Sequence, residues 1–293
     1  MYLFTGINPR WQMFSWLPDG LHVMYSAGGA WDNRQKQWRK MSFPKTSGMR
    51  WLDCGGFTLL NKYGDYPFSV AAYANLVAAT APAFYATMDY PCEPEINRTM
   101  HLQDNRQRIQ ATVDMAAELM SMESMIGTGT AVPVIQGFAL DEYLRCIDLY
   151  HQRGLIRPYM AVGSMCKRSN DAEILDLLPP IYEAATAAGV KRLHLFGLKL
   201  SLLLKPLHDM IWSRDSAAVL FAPDAATKRR WGGRRWAKGQ EEKRYAFEYF
   251  WKNAEQLGLL YCQRNGGHLF NRHCHNFNTD GDGVRAGVPG LVC

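Results

Sequence analysis

Four polar side chains of this sequence come directly after short apolar runs, at Asp53, Asp89, Gln136 and Asp215. Such a set can do covalent chemistry, because an aspartate carboxylate can act as a nucleophile. Two carboxylates whose pKa values differ can also divide the roles of acid and nucleophile between them. A single Asp after a strand is as often a turn residue or a helix N-cap. Four such residues, each followed closely by Gly, Pro or Ser, favour one shared site instead.

The stretch around Asp53 is the most informative part of the sequence. An apolar lead over residues 49–52 ends on Asp53, and Gly55 and Gly56 follow at once. Glycines at this point indicate a turn where the backbone passes close to another group. A ligand that approaches Gly55 and Gly56 would meet no side chain. We therefore expect Asp53 at the mouth of a binding pocket.

The spacing of apolar residues predicts strands and helices in alternation. The predicted strands cover residues 21–26, 49–52, 84–88, 132–135, 159–162, 193–196, 211–213 and 259–262. The predicted helices cover residues 68–79, 102–125, 140–153, 172–188, 201–210 and 241–256. Residues 1–20 are rich in Trp, Pro and Gly, and we expect a loop or cap there.

Strands that alternate with helices pair in parallel through right-handed crossovers. Eight such units within 293 residues predict one α/β domain over residues 1–293, a (β/α)8 TIM-like barrel, whose usual size is about 250 residues. In this fold the carboxyl ends of the strands converge on one site, which would bring the four polar residues together. A doubly wound open sheet is the rival, but it predicts a Gly-x-Gly-x-x-Gly turn early in the chain, which this sequence lacks.

Composition narrows the class of protein. Hydrophobic residues make up 47% and charged residues 20% of the chain, which is ordinary for a soluble enzyme. No apolar run reaches the roughly 18 residues that a membrane span needs, and Asn8, Pro9 and Arg10 lie where a signal peptide has its apolar centre. Seven scattered cysteines argue against a disulfide framework, so we expect a cytoplasmic protein. The net charge of +6 indicates an anionic partner or a basic surface kept for solubility.

Several short motifs resemble, in the same order, those of the tRNA-guanine transglycosylase superfamily. The first is Asp53-Cys-Gly-Gly-Phe57, which is similar to Asp-Ser-Gly-Gly-Phe in that family. The others are Ala86-Thr-Met-Asp89 followed by Cys92, Val134-Ile-Gln-Gly137, Met160-Ala-Val-Gly163, Leu195-Phe-Gly197 and Ser213-Arg-Asp-Ser216. The pair Asp215-Ser216 is most similar to the DpdA-type branch, which exchanges guanine in DNA for a 7-deazaguanine.

The resemblance implies a pentosyltransferase that exchanges one base for another at a glycosidic bond. Asp215 would attack C1′ to form a covalent nucleotide ester, and Asp53 would act as general acid and base. The target base would first have to leave its stack. The residues that the resemblance implies for binding the heterocycle are Asp89, Gln136, Gly137, Gly55, Gly56, Met160 and Gly163.

Two departures from the family pattern bear on the substrate. Ser164 follows Gly163, where the bacterial tRNA enzymes have Glu. This change speaks against an incoming base that carries an amine and favours a neutral substituent, as in 7-cyano-7-deazaguanine. Tyr159 stands before Met160, where the family usually has Gly. We also find no C-terminal RNA-binding domain, which favours DNA over tRNA.

Members of the family carry a Cys-rich zinc site after the nucleophile. This sequence lacks their Cys-x-Cys-x-x-Cys spacing but has five candidate ligands within fourteen residues, namely Cys262, His268, His273, Cys274 and His275. Cys and His at this density can form a four-coordinate structural site. We expect one Zn²⁺ per chain in a subregion over residues 259–280, although a buried strand cysteine with surface histidines would show the same pattern.

A basic stretch over residues 228–244 follows the predicted nucleophile. Its principal cations are Arg229, Arg230, Arg234, Arg235 and Lys238, and Trp231 and Trp236 lie among them. Basic groups among aromatic rings suit phosphate contacts and base stacking. We expect this stretch at the rim of the pocket, where it binds double-stranded DNA or tRNA, although a solvated loop would carry a similar charge run.

Several functions stay open on the sequence alone. The first is base exchange into DNA, and the second is the same chemistry on tRNA. The third is a (β/α)8 glycoside hydrolase with Asp53 and Asp215 as its carboxylate pair, which would use water and need no incoming base. A nucleic-acid-binding barrel without catalysis is a fourth. Both a monomer and a homodimer are compatible with the sequence.

Overall fold

A computed structural model describes residues 2–7, 20–41, 46–96, 102, 104–166, 168, 171–197, 210–216, 263–264 and 267–268. Within these residues, nine parallel strands form one sheet. They are β1 (Tyr2–Ile7), β2 (Val23–Ser26), β3 (Arg50–Asp53), β4 (Phe84–Ala86), β5 (Thr130–Val132), β6 (Val134–Ile135), β7 (Tyr159–Val162), β8 (Arg192–Leu195) and β9 (Ile211–Ser216). Two short antiparallel pairs lie outside this sheet, Trp31–Asp32 with Gln37–Trp38 and Gln263–Arg264 with Gly267–His268.

The helices of the described residues lie in four of the connections between strands, namely β3–β4, β4–β5, β6–β7 and β7–β8. They are α1 (Gly56–Tyr63), α2 (Val70–Thr80), α3 (Asn105–Ser121), α4 (Glu123–Ile126), α5 (Leu140–Gln152) and α6 (Asp171–Ala187). The predicted helix over 102–125 is divided at Met122 into α3 and α4. Helix α1 was not predicted from the sequence. The predicted helix over 241–256 lies outside the described residues, as does the one over 201–210 except for Met210. None of the described helices is long and apolar enough to cross a bilayer.

The sheet nearly closes on itself. Its strand order is β5-β4-β3-β2-β1-β9-β8-β7-β6, so that β5 and β6 form its two ends. Only Pro133 separates these two strands in the chain, and β5 pairs with β4 while β6 pairs with β7. The carbonyl of Pro133 also accepts a hydrogen bond from Ala161 N at 2.8 Å. Proline has no N–H to donate, which divides one continuous segment into two short strands. This α/β arrangement is consistent with the predicted (β/α)8 barrel.

The set of strands differs from the prediction at the N-terminus. Residues 1–20 were predicted to be a loop or cap, but β1 lies at the centre of the sheet between β2 and β9, with Phe4 opposite Asp215. Residues 259–262, predicted to be the last strand, lie outside the described residues. The partners of β1 in β9 are too far away in the chain for a local pattern to show the pairing.

Side chains alternate between the inside of the sheet and the surrounding helices, as in any strand. The inner cluster consists of Phe4, Met24, Trp51, Ala86, Val132, Val134 and Ala161. Their alternate neighbours, such as Leu52 and Tyr85, pack outward against the helices. The interior is therefore filled with side chains, and a ligand has room only beyond the carboxyl ends of the strands.

Candidate active site

A cavity of about 150 Å³ lies at the carboxyl ends of the strands. Asp53 at the end of β3, Asp89 just after β4 and Asp215 in β9 contribute carboxylates to its wall. Gln136 directly follows β6 and contributes an amide, and Gly163 follows β7. The structure thus brings together four side chains that are far apart in the sequence.

Glycine is required at both Gly55 and Gly56, because neighbouring protein atoms pass close to their Cα atoms. At Gly55 the left-handed backbone conformation also favours glycine. Gly55 has φ +82°, and a Cβ atom there would lie 2.5 Å from the nitrogen of Gly28. A Cβ at Gly56 would lie 2.7 Å from the hydroxyl of Tyr66. Both glycines line the cavity as the sequence indicated, but the groups that pass closest to them belong to the protein itself. A side chain at either position would push neighbouring segments apart.

Asp53 has the electrostatic character of an acid and base that works near neutral pH. Burial of its carboxyl group, together with the negative charges of Asp89 and Asp215, raises its pKa from 3.8 to about 7. Hydrogen bonds from Ser26 and from Gly55 N act in the opposite direction. A carboxyl group with this pKa can both donate and accept a proton at physiological pH.

Asp89 is held from two sides by donors. Cys54 Sγ donates to its Oδ1 at 2.9 Å, and Gln136 Nε2 donates to its Oδ2. Burial raises the pKa of Asp89, while both of these hydrogen bonds lower it. Burial also raises the pKa of the Cys54 thiol, so Cys54 acts as a donor rather than as a nucleophile. Tyr66 also holds the backbone of Asp89, since its hydroxyl donates a hydrogen bond to the carbonyl oxygen of Asp89 at 2.7 Å.

The Gln136 amide belongs to a longer chain of hydrogen bonds. Its Oε1 lies 2.7 Å from Ser164 Oγ, which lies 2.7 Å from Glu93 Oε2. A Cβ atom at Gly163 would lie 2.3 Å from Gln136 Nε2, so only glycine leaves room for the amide. Burial raises the pKa of the Glu93 carboxyl group. Glu93 and Ser164 also line the cavity, next to the base-binding residues that the resemblance implies.

Asp215 is oriented by contacts to one of its two carboxylate oxygens. Gly197 N donates to Oδ1 at 2.7 Å, and His194 Nε2 lies 3.5 Å from the same oxygen. The other ring nitrogen of His194 lies 2.8 Å from Ser213 Oγ. Burial lowers the pKa of His194, which favours the neutral ring. A neutral ring with its proton on Nε2 directs that N–H toward Asp215 at 3.5 Å, beyond the usual length of a hydrogen bond, and accepts from Ser213 at Nδ1.

Two residues that were predicted to contact the substrate, Met160 and Gly137, lie outside the cavity wall. Met160 is fully buried between β7 and the helices, because its neighbours Tyr159 and Ala161 take the inward positions of that strand. A Cβ atom at Gly137 would meet the backbone of Tyr143 at 2.6 Å, so Gly137 lets the start of α5 pack closely. Neither residue is part of the cavity wall.

Several site residues were not assigned from the sequence. Glu93 and His194 belong to no local motif, and the one signal that could have found them is their position soon after Asp89 and just before Leu195-Phe-Gly197. The basic stretch over 228–244 and the metal candidates Cys262, His273, Cys274 and His275 lie outside the described residues. For His268 the structure describes only its place in a short strand. Within the described residues, no three or more Cys, His, Asp or Glu side chains are grouped so as to hold a metal ion.

Comparison with known families agrees with this geometry. Residues 28–230 match the family model of DpdA, described as DeoxyPurine in DNA protein A. The match covers more than half of the chain and includes Asp53, Asp89, Gln136 and Asp215. No curated protein matches the sequence. The chain therefore belongs to the DpdA family, a family of DNA-guanine transglycosylases.

Proposed function

We propose that this protein replaces guanine in DNA by 7-cyano-7-deazaguanine through a covalent intermediate on Asp215. The observation that carries the proposal is the convergence of Asp53, Asp89, Gln136 and Asp215 on one cavity, within the part of the chain that matches the family. A pentosyltransferase of this kind needs a nucleophile, an acid and base, and a surface that binds the base. The cavity holds candidates for all three.

The proposed first step breaks the bond between guanine and its deoxyribose. A carboxylate oxygen of Asp215 forms a bond to C1′ while the bond from C1′ to guanine N9 breaks, and its electron pair leaves with the base. The protonated Asp53 supplies a proton to the departing guanine. Burial, together with the negative charges of Asp89 and Asp215, keeps that proton on Asp53 until the base takes it.

The proposed second step reverses these roles. Asp53, now ionised, removes a proton from the incoming 7-deazaguanine, whose ring nitrogen then bonds to C1′ as the bond from C1′ to Asp215 breaks. A pKa of about 7 suits both directions, since neither protonation state of Asp53 is then costly to reach. Together the two steps return the nucleophile and the acid and base to their original states.

Asp89 and Gln136 supply the groups that bind either base. A guanine edge has a carbonyl acceptor beside two N–H donors, and the 7-deazaguanines have the same edge. The Asp89 carboxylate accepts from such donors, and the Gln136 amide has a second N–H that can donate to the carbonyl. The hydrogen bond between Asp89 and Gln136 sets the two groups side by side before a base arrives.

A labelled-base assay tests the proposed function directly. Radiolabelled guanine is incubated with the protein and either duplex DNA or tRNA, and label is counted in each polymer. Label in DNA alone supports the proposal, and label in tRNA alone would assign the same chemistry to tRNA. Release of free base with water as acceptor and no incorporation would instead indicate the hydrolase.

The basic stretch over residues 228–244 gives a prediction about DNA binding. We expect that replacing Arg229, Arg230, Arg234 and Arg235 together by Ala weakens DNA binding, because each cation that contacts a phosphate releases counterions on binding. The salt dependence should also flatten, with the slope falling by about one for each arginine that neutralises a phosphate in the wild type. Binding isotherms at several salt concentrations measure both effects. A quadruple variant that binds DNA with unchanged affinity and salt slope would contradict this role.

The proposed zinc site gives a prediction about metal content. We expect about one Zn²⁺ per chain, held by Cys262, Cys274 and histidines of the same cluster, where it would supply structural stability rather than chemistry. Chelation should then lower the melting temperature, since metal binding contributes to folding. Elemental analysis of purified protein measures the metal, and Cys262→Ser should reduce it. Full-length protein that contains no zinc would rule the site out.

A further inference from the structure

Glu93 is a buried acid in the cavity wall to which neither step of the proposed reaction assigns a role. Its side chain is 1% exposed, and its Oε2 lies 2.7 Å from Ser164 Oγ. Ser164 in turn contacts Gln136 Oε1 at 2.7 Å, and Gln136 Nε2 contacts Asp89 Oδ2. Four side chains therefore form one continuous line of hydrogen bonds, in the order Glu93-Ser164-Gln136-Asp89, with a carboxyl group at each end.

This line needs one more hydrogen atom than Ser164 and Gln136 can supply. Three contacts join the four side chains, and each requires one hydrogen between its two polar atoms. Ser164 has a single hydroxyl hydrogen, and its oxygen already accepts from Cys92 N at 2.9 Å. The Gln136 amide can donate along the line in only one direction. One of the two terminal carboxyl groups must therefore carry a proton.

The two possible positions of this proton impose opposite orientations on Gln136. With the proton on Glu93, the acid donates to Ser164, Ser164 donates to Gln136 Oε1, and the amide nitrogen faces Asp89. With the proton on Asp89, the amide must turn so that its oxygen faces Asp89. The first arrangement offers a base an ionised acceptor beside an N–H donor. In the second, Asp89 is neutral, its proton is used on Gln136 Oε1, and the amide presents an acceptor in place of the donor.

The surroundings of the two acids favour the proton on Glu93. Asp89 also accepts from Cys54 Sγ at 2.9 Å, so its ionised form has a donor on each oxygen. On Glu93, Ser164 Oγ contacts one oxygen and Cys166 Sγ lies 3.8 Å from the other, and the residue's own backbone N–H also hydrogen-bonds the carboxyl group. Other titratable or charged groups that act on Glu93 or are influenced by it are Asp89, Glu95, Cys92, Tyr143 and Arg108. Burial is the largest influence and raises the pKa of Glu93, hydrogen bonds from Ser164 and from its own backbone lower it, and the charges of Asp89 and Glu95 raise it further, so that the net shift is upward.

We propose that Glu93, as the neutral acid, is a positioning residue that holds the Gln136 amide nitrogen toward Asp89 and thereby selects bases with a guanine-type edge. This inference rests on the proposed function for its substrate class, a purine or deazapurine with a carbonyl beside N–H donors. An adenine-type edge has the opposite order of donor and acceptor and is rejected by the same arrangement. Ionisation of Glu93 removes the hydrogen that the line needs and weakens base binding.

Calorimetric titration of free guanine into the whole protein over a series of pH values, starting at acidic pH, tests the proposal. For the wild type, the Kd for guanine is expected to rise as pH passes through the raised pKa of Glu93, approaching tenfold per pH unit. Glu93→Gln keeps a donor toward Ser164 and should bind guanine within about threefold of the wild type at pH 7, without the rise that Glu93 causes. Glu93→Ala and Ser164→Ala interrupt the line, and each should weaken binding about 10- to 100-fold at all pH values. Asp141→Asn removes an exposed carboxylate at the start of α5 that is not among the groups acting on Glu93, and it serves as the matched control.

The outcomes separate this inference from the proposed function. If Glu93→Gln binds as weakly as Glu93→Ala, or keeps the pH dependence of the wild type, Glu93 does not position Gln136. A double variant with Glu93→Ala and Ser164→Ala should bind no worse than either single variant, because both interrupt the same line. If guanine binding behaves as expected but no label enters DNA, the exchange reaction fails and the positioning role stands.

Discussion

Asp215→Asn is expected to abolish base exchange and, with it, any link between protein and DNA that survives denaturation. An amide oxygen is a far weaker nucleophile than a carboxylate, so the ester to C1′ does not form. The loss should exceed about 10⁴-fold, as is usual when the nucleophile of a covalent mechanism is removed. The fold should persist, because the Asn side-chain oxygen can still accept from Gly197 N as Asp215 Oδ1 does.

Two measurements check this result. Incorporation of labelled guanine into DNA reports turnover, and a denaturing gel of protein mixed with labelled DNA reports the covalent intermediate. Asp141→Asn is a matched control, since Asp141 is exposed at the start of α5 and away from the cavity. An adduct that forms normally in Asp215→Asn would show that another residue is the nucleophile.

Asp53→Asn is expected to slow exchange by about 10²- to 10⁴-fold, the usual contribution of a general acid and base. The variant cannot protonate the departing guanine, and it cannot deprotonate the incoming base. Departure of guanine in a single turnover should fall in the wild type as pH rises through about 7, because Asp53 then loses the proton that it donates. In Asp53→Asn this pH dependence should disappear, while guanine binding to Asp89 and Gln136 is retained.

The same variant should be more stable than the wild type at alkaline pH. The pKa of Asp53 is raised from 3.8 to about 7 by folding, so the folded state binds this proton more tightly than the unfolded state does. The free energy of unfolding of the wild type therefore decreases as pH rises from about 4 to about 7, and the full penalty is present above that range. Urea denaturation at pH 5 and pH 8 should show that the stability of Asp53→Asn exceeds that of the wild type mainly at pH 8, by up to a few kcal/mol. Equal pH dependence in both proteins, or normal turnover in Asp53→Asn, would contradict the assignment.

Much of this protein was determined locally and was therefore predictable from sequence. The segments that became β4 and β7 are short apolar runs that end on polar or glycine residues, and α5 has helical spacing closed by glycine. Parallel strands place their carboxyl ends together, so the positions of Asp53 and Asp215 in the chain were enough to predict a shared site. Alternation along β7 places Met160 and Ala161 on opposite faces, and the structure shows that the face of Met160 is the outer one.

Only the tertiary structure decided which groups surround those carboxylates. β1 lies in the sheet between β2 and β9, although β9 is far from it in the amino-acid sequence. No local sequence pattern indicates such a pairing. Glu93 meets Ser164 across 71 residues of sequence, and His194 reaches Ser213 across 19. Hydrogen-bond partners of this kind depend on distances of a few tenths of an ångström between separate elements. The sequence by itself determined which residues can ionise at the mouth of the barrel, and packing decided how burial and neighbouring charge divide the roles among them.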